Sequence, residues 1–441
     1  MLDIVKHVLL VFSVVFPITC IAQEKLSFED CLELAFQNNL EIKDAEYSEK
    51  IAAISHQSKK VALLPTINGN LGNNFSYGRG IDPYTNSFID TKFKSYSGNI
   101  KSSVILFDGF ANINSIKLAK HELDINKSTI HKIKNDITID LASIYVTIIY
   151  LHEVIKANQQ QIETSGKLLE MLSLKFNHGY IPESEVFKMR SQISNEELTL
   201  IENQNLLSVK YLELKQLLNL PIEDEIKIAS IELLDLEINT GENHTEIINR
   251  SISISPLFEI AKLREEQYKT ELSISRASLW PKLEMGMYFG SAYSNSNVFY
   301  DFNQQIGNNK NYGINFSLSF PLFNGLETRY KIKESKLAYE QSLIKTEIEK
   351  NNLSKIVQQA INDANTSLLK LRSAEKAYEY AFKSFEADNL KFELGKININ
   401  EFSITKNNYI NAQAELIKAK HEHFYNAKLI DFYMNNSFSI K

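Results

Sequence analysis

The chain has 441 residues, 44% of them hydrophobic, and a net charge of −6 from 48 basic and 54 acidic side chains mixed along its length. No basic patch stands above that background, which excludes nucleic acid as a partner. Only 15 Gly and 8 Pro are present, so the chain is neither fibrous nor loop-rich and is expected to consist of long uninterrupted elements.

Residues 1–22 read as a secretory signal peptide. Lys6 and His7 precede an apolar run from Val8 to Phe16, and Pro17 leads on to Cys20-Ile21-Ala22. This is the charged, apolar, cleavage-site order of a targeting segment, and the run is too short to span a bilayer. Cleavage after Ala22 is expected, with Gln23 as the mature start. Pro17-Ile18-Thr19 is a poor context for lipidation of Cys20. Beyond the leader Cys31 stands alone, which leaves no partner for an internal disulfide or a thiol pair.

A helix is expected over 26–64, opened by Ser27 and Asp30 at capping-box spacing. Pro65 ends it, and strands follow at 66–77 and 95–107, separated by a polar loop, 78–94. In the second strand Tyr96, Ile100, Val104 and Leu106 alternate with Ser97, Asn99, Lys101 and Ser103, the period of a strand with one apolar face. After the turn at Gly109 the stretch 110–178 contains no Pro and one Gly. Ile130, Ile133, Ile137, Leu141, Ile144, Ile148, Leu151 and Ile155 recur at spacings of three and four, a helix with a coiled-coil seam. Such a helix is about 100 Å long, too long for a compact domain. Its apolar stretch 141–151 is too short to span a bilayer. A turn at Gly179 and a helix over 182–219 complete the first half, and 221–241 is expected as a linker.

The second half repeats this order, with helix 245–280, strands 282–290 and 311–323 around loop 291–310, helices 326–394 and 398–433, and a tail, 437–441. Three landmarks fix the repeat. Leu64-Pro65 matches Trp280-Pro281, Phe107-Asp108-Gly109 matches Phe323-Asn324-Gly325, and Leu174-Lys175-Phe176 with Gly179 matches Leu390-Lys391-Phe392 with Gly395. Each partner lies 216 residues downstream, without gaps, which establishes internal duplication over 23–220 and 242–436. In strand 311–323, Tyr312, Ile314, Phe316, Leu318 and Phe320 form one face, expected to meet lipid, against Asn311, Gly313, Asn315, Ser317 and Ser319 on the other. Strands of about ten residues cross an outer membrane at a tilt. Trp280, Phe107 and Phe323 at one end, with Tyr77, Phe93 and Tyr96 at the other, fit an interfacial girdle.

No catalytic constellation is present. There is no His-Glu-x-x-His and no Gly-x-Ser-x-Gly, and Gly78-Arg79-Gly80 has Pro83 where a dinucleotide fingerprint needs Gly. His421 and His423, two apart on a helix, face different ways and do not share a metal. Four strands cannot close a barrel, and an open sheet edge in lipid is prohibitively costly. The chain must therefore oligomerise, as a dimer with eight strands or a trimer with twelve.

The Leu/Trp-Pro strand entry, the Phe-Asp/Asn-Gly corner, the Lys-Phe-x-x-Gly helical turn and the paired long helices resemble the TolC-like outer membrane efflux family, over essentially the whole mature chain. The resemblance implies an α+β membrane protein. It would be a homotrimer in the outer membrane of a Gram-negative bacterium, with a twelve-stranded β-barrel, four strands per chain, continuous with a long periplasmic α-helical barrel. It implies no enzymatic activity and no cofactor. The implied function is the outer-membrane channel of a tripartite efflux or type I secretion system, with a periplasmic adaptor and an inner-membrane transporter as partners.

By the same resemblance Gly179 and Gly395 mark the periplasmic tip, with Lys175, Tyr180, Lys391 and Lys396 as candidate adaptor contacts. Glu185 and Glu401, each six residues past a tip glycine, are candidate gate carboxylates. Both also read as solvated helix positions, and Glu183 is an alternative to Glu185. Lys188 and Ile404 stand where a second acid is expected, so an acidic gate here is weaker or different. Pro65, Gly109, Pro281 and Gly325 form the strand–helix junctions. The competing reading is a secreted periplasmic coiled-coil scaffold or adaptor. It shares the leader, helices and repeat but needs no paired membrane-length strands.

Overall fold

The computed structural model describes residues 25–81, 86–89, 92–231, 244–297 and 299–438. The expected signal peptide, Cys20, the second half of the 221–241 linker and the last residues of the tail lie outside them.

Helix α1 (Phe28–Asn38) starts at Ser27, whose side chain and that of Asp30 satisfy each other's backbone N–H groups. The single helix expected over 26–64 is two, because Asn39 interrupts it. Its carboxamide oxygen accepts from Glu41 N at 2.8 Å and opens α2 (Leu40–Val61), while its Nδ2 donates to the Leu217 carbonyl at 3.2 Å. A side chain that caps the backbone locally competes with helix continuation.

Strand β1 (Thr66–Ser76) is followed by a short pair, β2 (Gly80–Ile81) with β3 (Phe88–Ile89), and by β4 (Phe93–Phe107). Helix α3 (Ala111–Asn177) and α4 (Glu183–Leu217) form the first long hairpin. The second repeat comprises α5 (His244–Ile254), α6 (Pro256–Ala277), β5 (Lys282–Ser294), α7 (Phe302–Asn308), β6 (Asn311–Ser319), α8 (Glu327–Glu393) and α9 (Ile399–Asn435). Four of its helices, α5, α6, α8 and α9, begin 216 residues after their counterparts, as does β5. The α5–α6 break at Ser255 is the Asn39 break repeated, so 245–280 is likewise two helices. Here Pro256 occupies the first helical position, which it favours.

The four long strands form one antiparallel sheet in the order β1-β4-β5-β6, so the repeats join side by side through β4 and β5. β6 stops at Ser319 rather than at 323, because Phe320 is followed by Pro321, which has no N–H for the ladder. Phe320 therefore lies beyond the strand. β5 runs four residues past the expected 290, and side chains replace the missing partner there. Gln305 of α7, 1% exposed, accepts from Ser294 N at 2.9 Å and donates to Ser294 O at 3.0 Å, while Asn309 donates to Ala292 O at 2.7 Å. The 291–310 loop is thus a built cap on the β5 edge.

The helices pack around a core of Phe28, Cys31, Leu141, Tyr145, Ile148 and Leu214 with their neighbours. Burying each such large side chain is worth about 1.5–3 kcal/mol. The apolar stretch 141–151 lies mostly in this core rather than on an outer surface. Burial pushes the Cys31 thiol up to about 12, so it is not a nucleophile. The start of the expected linker joins the core too. Leu26 pairs in parallel with Ile228, and the Tyr145 hydroxyl hydrogen-bonds the Leu26 and Ala229 carbonyls at 3.1 and 3.0 Å.

Candidate functional site

Cross-strand register sorts the sheet's side chains onto two faces, because residues directly opposite one another share a face. One face reads Ile67, Gly69, Leu71 on β1, Ile100, Ser102, Val104 on β4, Phe289, Met287, Met285, Leu283 on β5, and Tyr312, Ile314, Phe316, Leu318 on β6. The other reads Asn68, Asn70, Gly72, then Asn99, Lys101, Ser103, then Tyr288, Gly286, Glu284, then Gly313, Asn315, Ser317. In a water-soluble sheet the apolar face would be covered. Here Leu71 is 94% exposed, Tyr312 76% and Phe316 66%. β1 and β6 each leave one edge without a strand partner among the described residues.

The sheet meets the helices at two corners of matching backbone. Gly109 and Phe110 both have φ of 68°, and Gly325 and Leu326 have φ of 67° and 68°. Two successive left-handed residues turn the strand sharply into the long helix. Asp108 Oδ2 then accepts from Asn112 N at 3.0 Å, while Asn324 donates to Thr328 at 2.7 Å. The corners differ in space. A Cβ on Gly109 would lie 2.7 Å from both the Ala277 carbonyl and the Trp280 Cβ, whereas one on Gly325 would meet nothing within 4 Å. Pro65 and Pro281 stand immediately before β1 and β5.

At the far end each hairpin reverses through a Schellman turn. Tyr180 N donates to Lys175 O at 2.9 Å and Gly179 N to Phe176 O at 2.8 Å; Lys396 N donates to Lys391 O at 2.8 Å and Gly395 N to Phe392 O at 3.0 Å. The left-handed position falls on Gly179, φ 77°, and Gly395, φ 71°. A small core of Leu168, Leu172, Val186, Met189, Phe392 and Phe402 ties the two turns together. The structure places Glu185 and Glu401 on the rim of one cleft, with Lys175, Tyr180 and Lys396 also lining it. Glu401 is held by the helix cap, accepting from Asn398 Nδ2 at 3.0 Å while its own N–H donates to Asn398 Oδ1. Lys175 lies over the Phe392 ring and Lys391 pairs with Asp388 at 2.9 Å, so both are partly engaged. Tyr180 and Lys396 are open to solvent. Lys188 donates to Asn400 at 3.1 Å, linking α4 to α9 where a second acid was expected.

No motif or helical period marks the buried polar cluster that lies beyond the hairpin turns. Lys406 of α9 and Glu196 of α4, each with a side chain 4% exposed, form an ion pair at 3.1 Å. Ser165 of α3 contacts both, and Gln192 donates to Glu196 at 3.0 Å. Burial alone would raise the Glu196 carboxyl, but hydrogen bonds from Ser165, Gln161 and Gln192 and the Lys406 charge hold it below the ordinary carboxylate value. Burial lowers Lys406, and Glu196 partly offsets this. The cluster joins the two hairpins of one chain. His421 and His423 diverge, as their spacing requires: His421 Nδ1 donates to Ile417 O, and His423 faces Ser367. Among the described residues no group of His, Cys, Asp or Glu can hold a metal ion.

The outer membrane efflux protein family model matches residues 31–220 and 247–423, both repeats. The outer membrane protein TolC of Salmonella enteritidis is 21% identical over 79% of this chain and 72% of its own length. Among solved structures, CusC superposes with a TM-score of 0.81 at 12% identity, covering 92% of this chain and 91% of that one. The CmeC outer membrane channel of Campylobacter jejuni gives 0.80 at 16% identity, covering 92% and 85%. The chain therefore belongs to the outer membrane efflux protein family: it is an outer-membrane efflux channel subunit reaching into the periplasm, not an enzyme.

Proposed function

We propose that three copies of the chain close into one duct, the sheets forming a twelve-stranded barrel and the long hairpins a periplasmic tube. The observation that carries this is a four-stranded sheet with an uncovered apolar face, a polar face and, among the described residues, two open edges. The bare apolar face and the open edges are untenable in a lone subunit, and edge-to-edge closure in lipid resolves both while turning the polar face to water. On this reading Tyr312, Ile314, Phe316 and Leu318 face lipid, Phe320 lies at its boundary, and the Asn- and Ser-rich face lines water.

At the tip, Glu185 and Glu401 from three chains form carboxylate rings that restrict the closed opening and favour cations there. Glu401→Ala then raises closed-state conductance; unchanged conductance would remove it from the gate. Gly179 and Gly395 shape the turns, and Lys175, Tyr180, Lys391 and Lys396 present the surface that a periplasmic adaptor grips. That adaptor couples the duct to an inner-membrane transporter of an efflux or type I secretion system.

Electron microscopy of detergent-extracted protein, with its mass in solution, tests the assembly. The expected result is a three-fold tube extending about 100 Å from a detergent belt, the length of a 67-residue helix. A rod soluble without detergent would overturn the duct and favour a periplasmic scaffold.

A further inference from the structure

The polar face of the sheet carries few charges, and they are unevenly placed. Lys282 and Glu284 neutralise each other at 3.2 Å near the helix end of the sheet. That leaves Lys101, near the middle of β4, with no ion-pair partner among the described residues. Glu284 is four residues along β5 from the Lys101 row, about 13 Å away. The row itself is ordered. Lys101 stands opposite Asn68 of β1 and opposite Tyr288 of β5, which stands opposite Gly313 of β6. The Tyr288 ring lies against Gly313, where a Cβ would come within 2.8 Å of its Cε1 and hydroxyl oxygen. Gly313 thus gives the ring room to lie along the wall. Each chain contributes an ammonium and an aromatic face side by side, half-way up the membrane section.

We propose that Lys101 and Tyr288 form a belt in the barrel lumen that binds organic anions in transit, aromatic sulfonates and carboxylates foremost, and makes the membrane section of the duct anion-selective. This rests on the trimeric barrel proposed above, in which the row becomes a ring of three lysines and three tyrosines. A twelve-stranded barrel has a backbone diameter of roughly 24 Å. With the lysines reaching inward, a solute crossing the belt passes within about 10 Å of an ammonium, the Debye length at 0.1 M salt. The field therefore spans the lumen at about 0.1 M and is screened at 1 M, where the Debye length is about 3 Å. The acidic tip and the cationic belt are separate filters in series, so the belt's sign is hidden while the tip is the narrower point.

The test is reversal-potential measurement in planar bilayers under a KCl gradient centred near 0.1 M, with the tip acids neutralised by Glu185→Gln and Glu401→Gln. With Lys101 present, chloride is expected to be preferred by about twofold or more. Lys101→Gln should abolish the preference and Lys101→Glu should invert it, and all three should converge near 1 M salt. Tyr288→Ala should leave the reversal potential in place but shorten naphthalene sulfonate blockades by about threefold. Conducting channels whose reversal potential is the same with Lys, Gln or Glu at 101 would overturn the belt and leave the barrel standing. Absence of conductance from every form, the unsubstituted chain included, would overturn the barrel reading and the belt with it.

Discussion

Lys406 occupies a seam position of α9, one turn after buried Phe402, and Glu196 a seam position of α4, two turns after buried Met189. On a single helix each reads as one more solvated charge. Only the packing of α9 against α3 and α4 shows that the two meet, 210 residues apart in sequence. A periodicity argument sees one helix at a time, and for that reason this cluster was not legible while the tip glycines were. Removing one partner of a buried pair leaves the other uncompensated, at a cost of about 3–5 kcal/mol, whereas an apolar pair of similar volume is often neutral. Lys406→Met should therefore loosen the hairpins near the tip, read as faster amide hydrogen exchange in α4 and α9 around 196 and 406. Adding Glu196→Leu should restore protection. Equal exchange in the single and double variants would show the pair to be inert. The Glu196 carboxyl is held below its ordinary value, so the stability it contributes is complete above the ordinary carboxylate range. It is lost as pH falls through the lowered value. Acidification should open the same region, and Glu196→Gln should flatten that response.

The elements themselves were largely legible. Long helices free of Pro declare themselves by period, and the repeat alone marks both strand–helix corners and both hairpin turns. What escaped was local side-chain chemistry: Asn39 ending a helix early, Gln305 and Asn309 standing in for a strand, and Pro321 cutting the β6 ladder. Each depends on a partner that pattern alone does not locate. Duplication also hides inequality. Gly109 and Gly325 share a backbone conformation, yet one is walled in and the other is open. Alanine at Gly325 should cost only the left-handed strain, about 1–2 kcal/mol. Alanine at Gly109 adds a clash with the Ala277 backbone carbonyl that no rotamer relieves. Gly109→Ala should sharply lower the yield of folded protein and its melting temperature in detergent, while Gly325→Ala shifts melting by a few degrees. Equal effects would show that strain, not space, governs both corners.

For the whole molecule, the alternation of a single strand decides between a duct and a soluble rod. Ile314 and Asn315 are neighbours on β6, both exposed in the lone subunit and pointing to opposite faces. If the sheet stayed in water, a lysine would be harmless at either position, and at 314 it would improve solubility by breaking an apolar surface. If the sheet closes in a membrane, the two sites experience different solvents. A lysine near the bilayer midplane on the lipid face of a barrel costs about 2–4 kcal/mol, and the trimer carries three copies. The same lysine at 315 projects into an aqueous lumen that already accommodates Lys101. Ile314→Lys should therefore deplete the outer-membrane fraction of assembled trimer, while Asn315→Lys assembles as the unsubstituted chain does. The two are compared by membrane fractionation and by mobility on unheated gels. Equal assembly of both variants would return the apolar face to water and leave its exposure without an explanation.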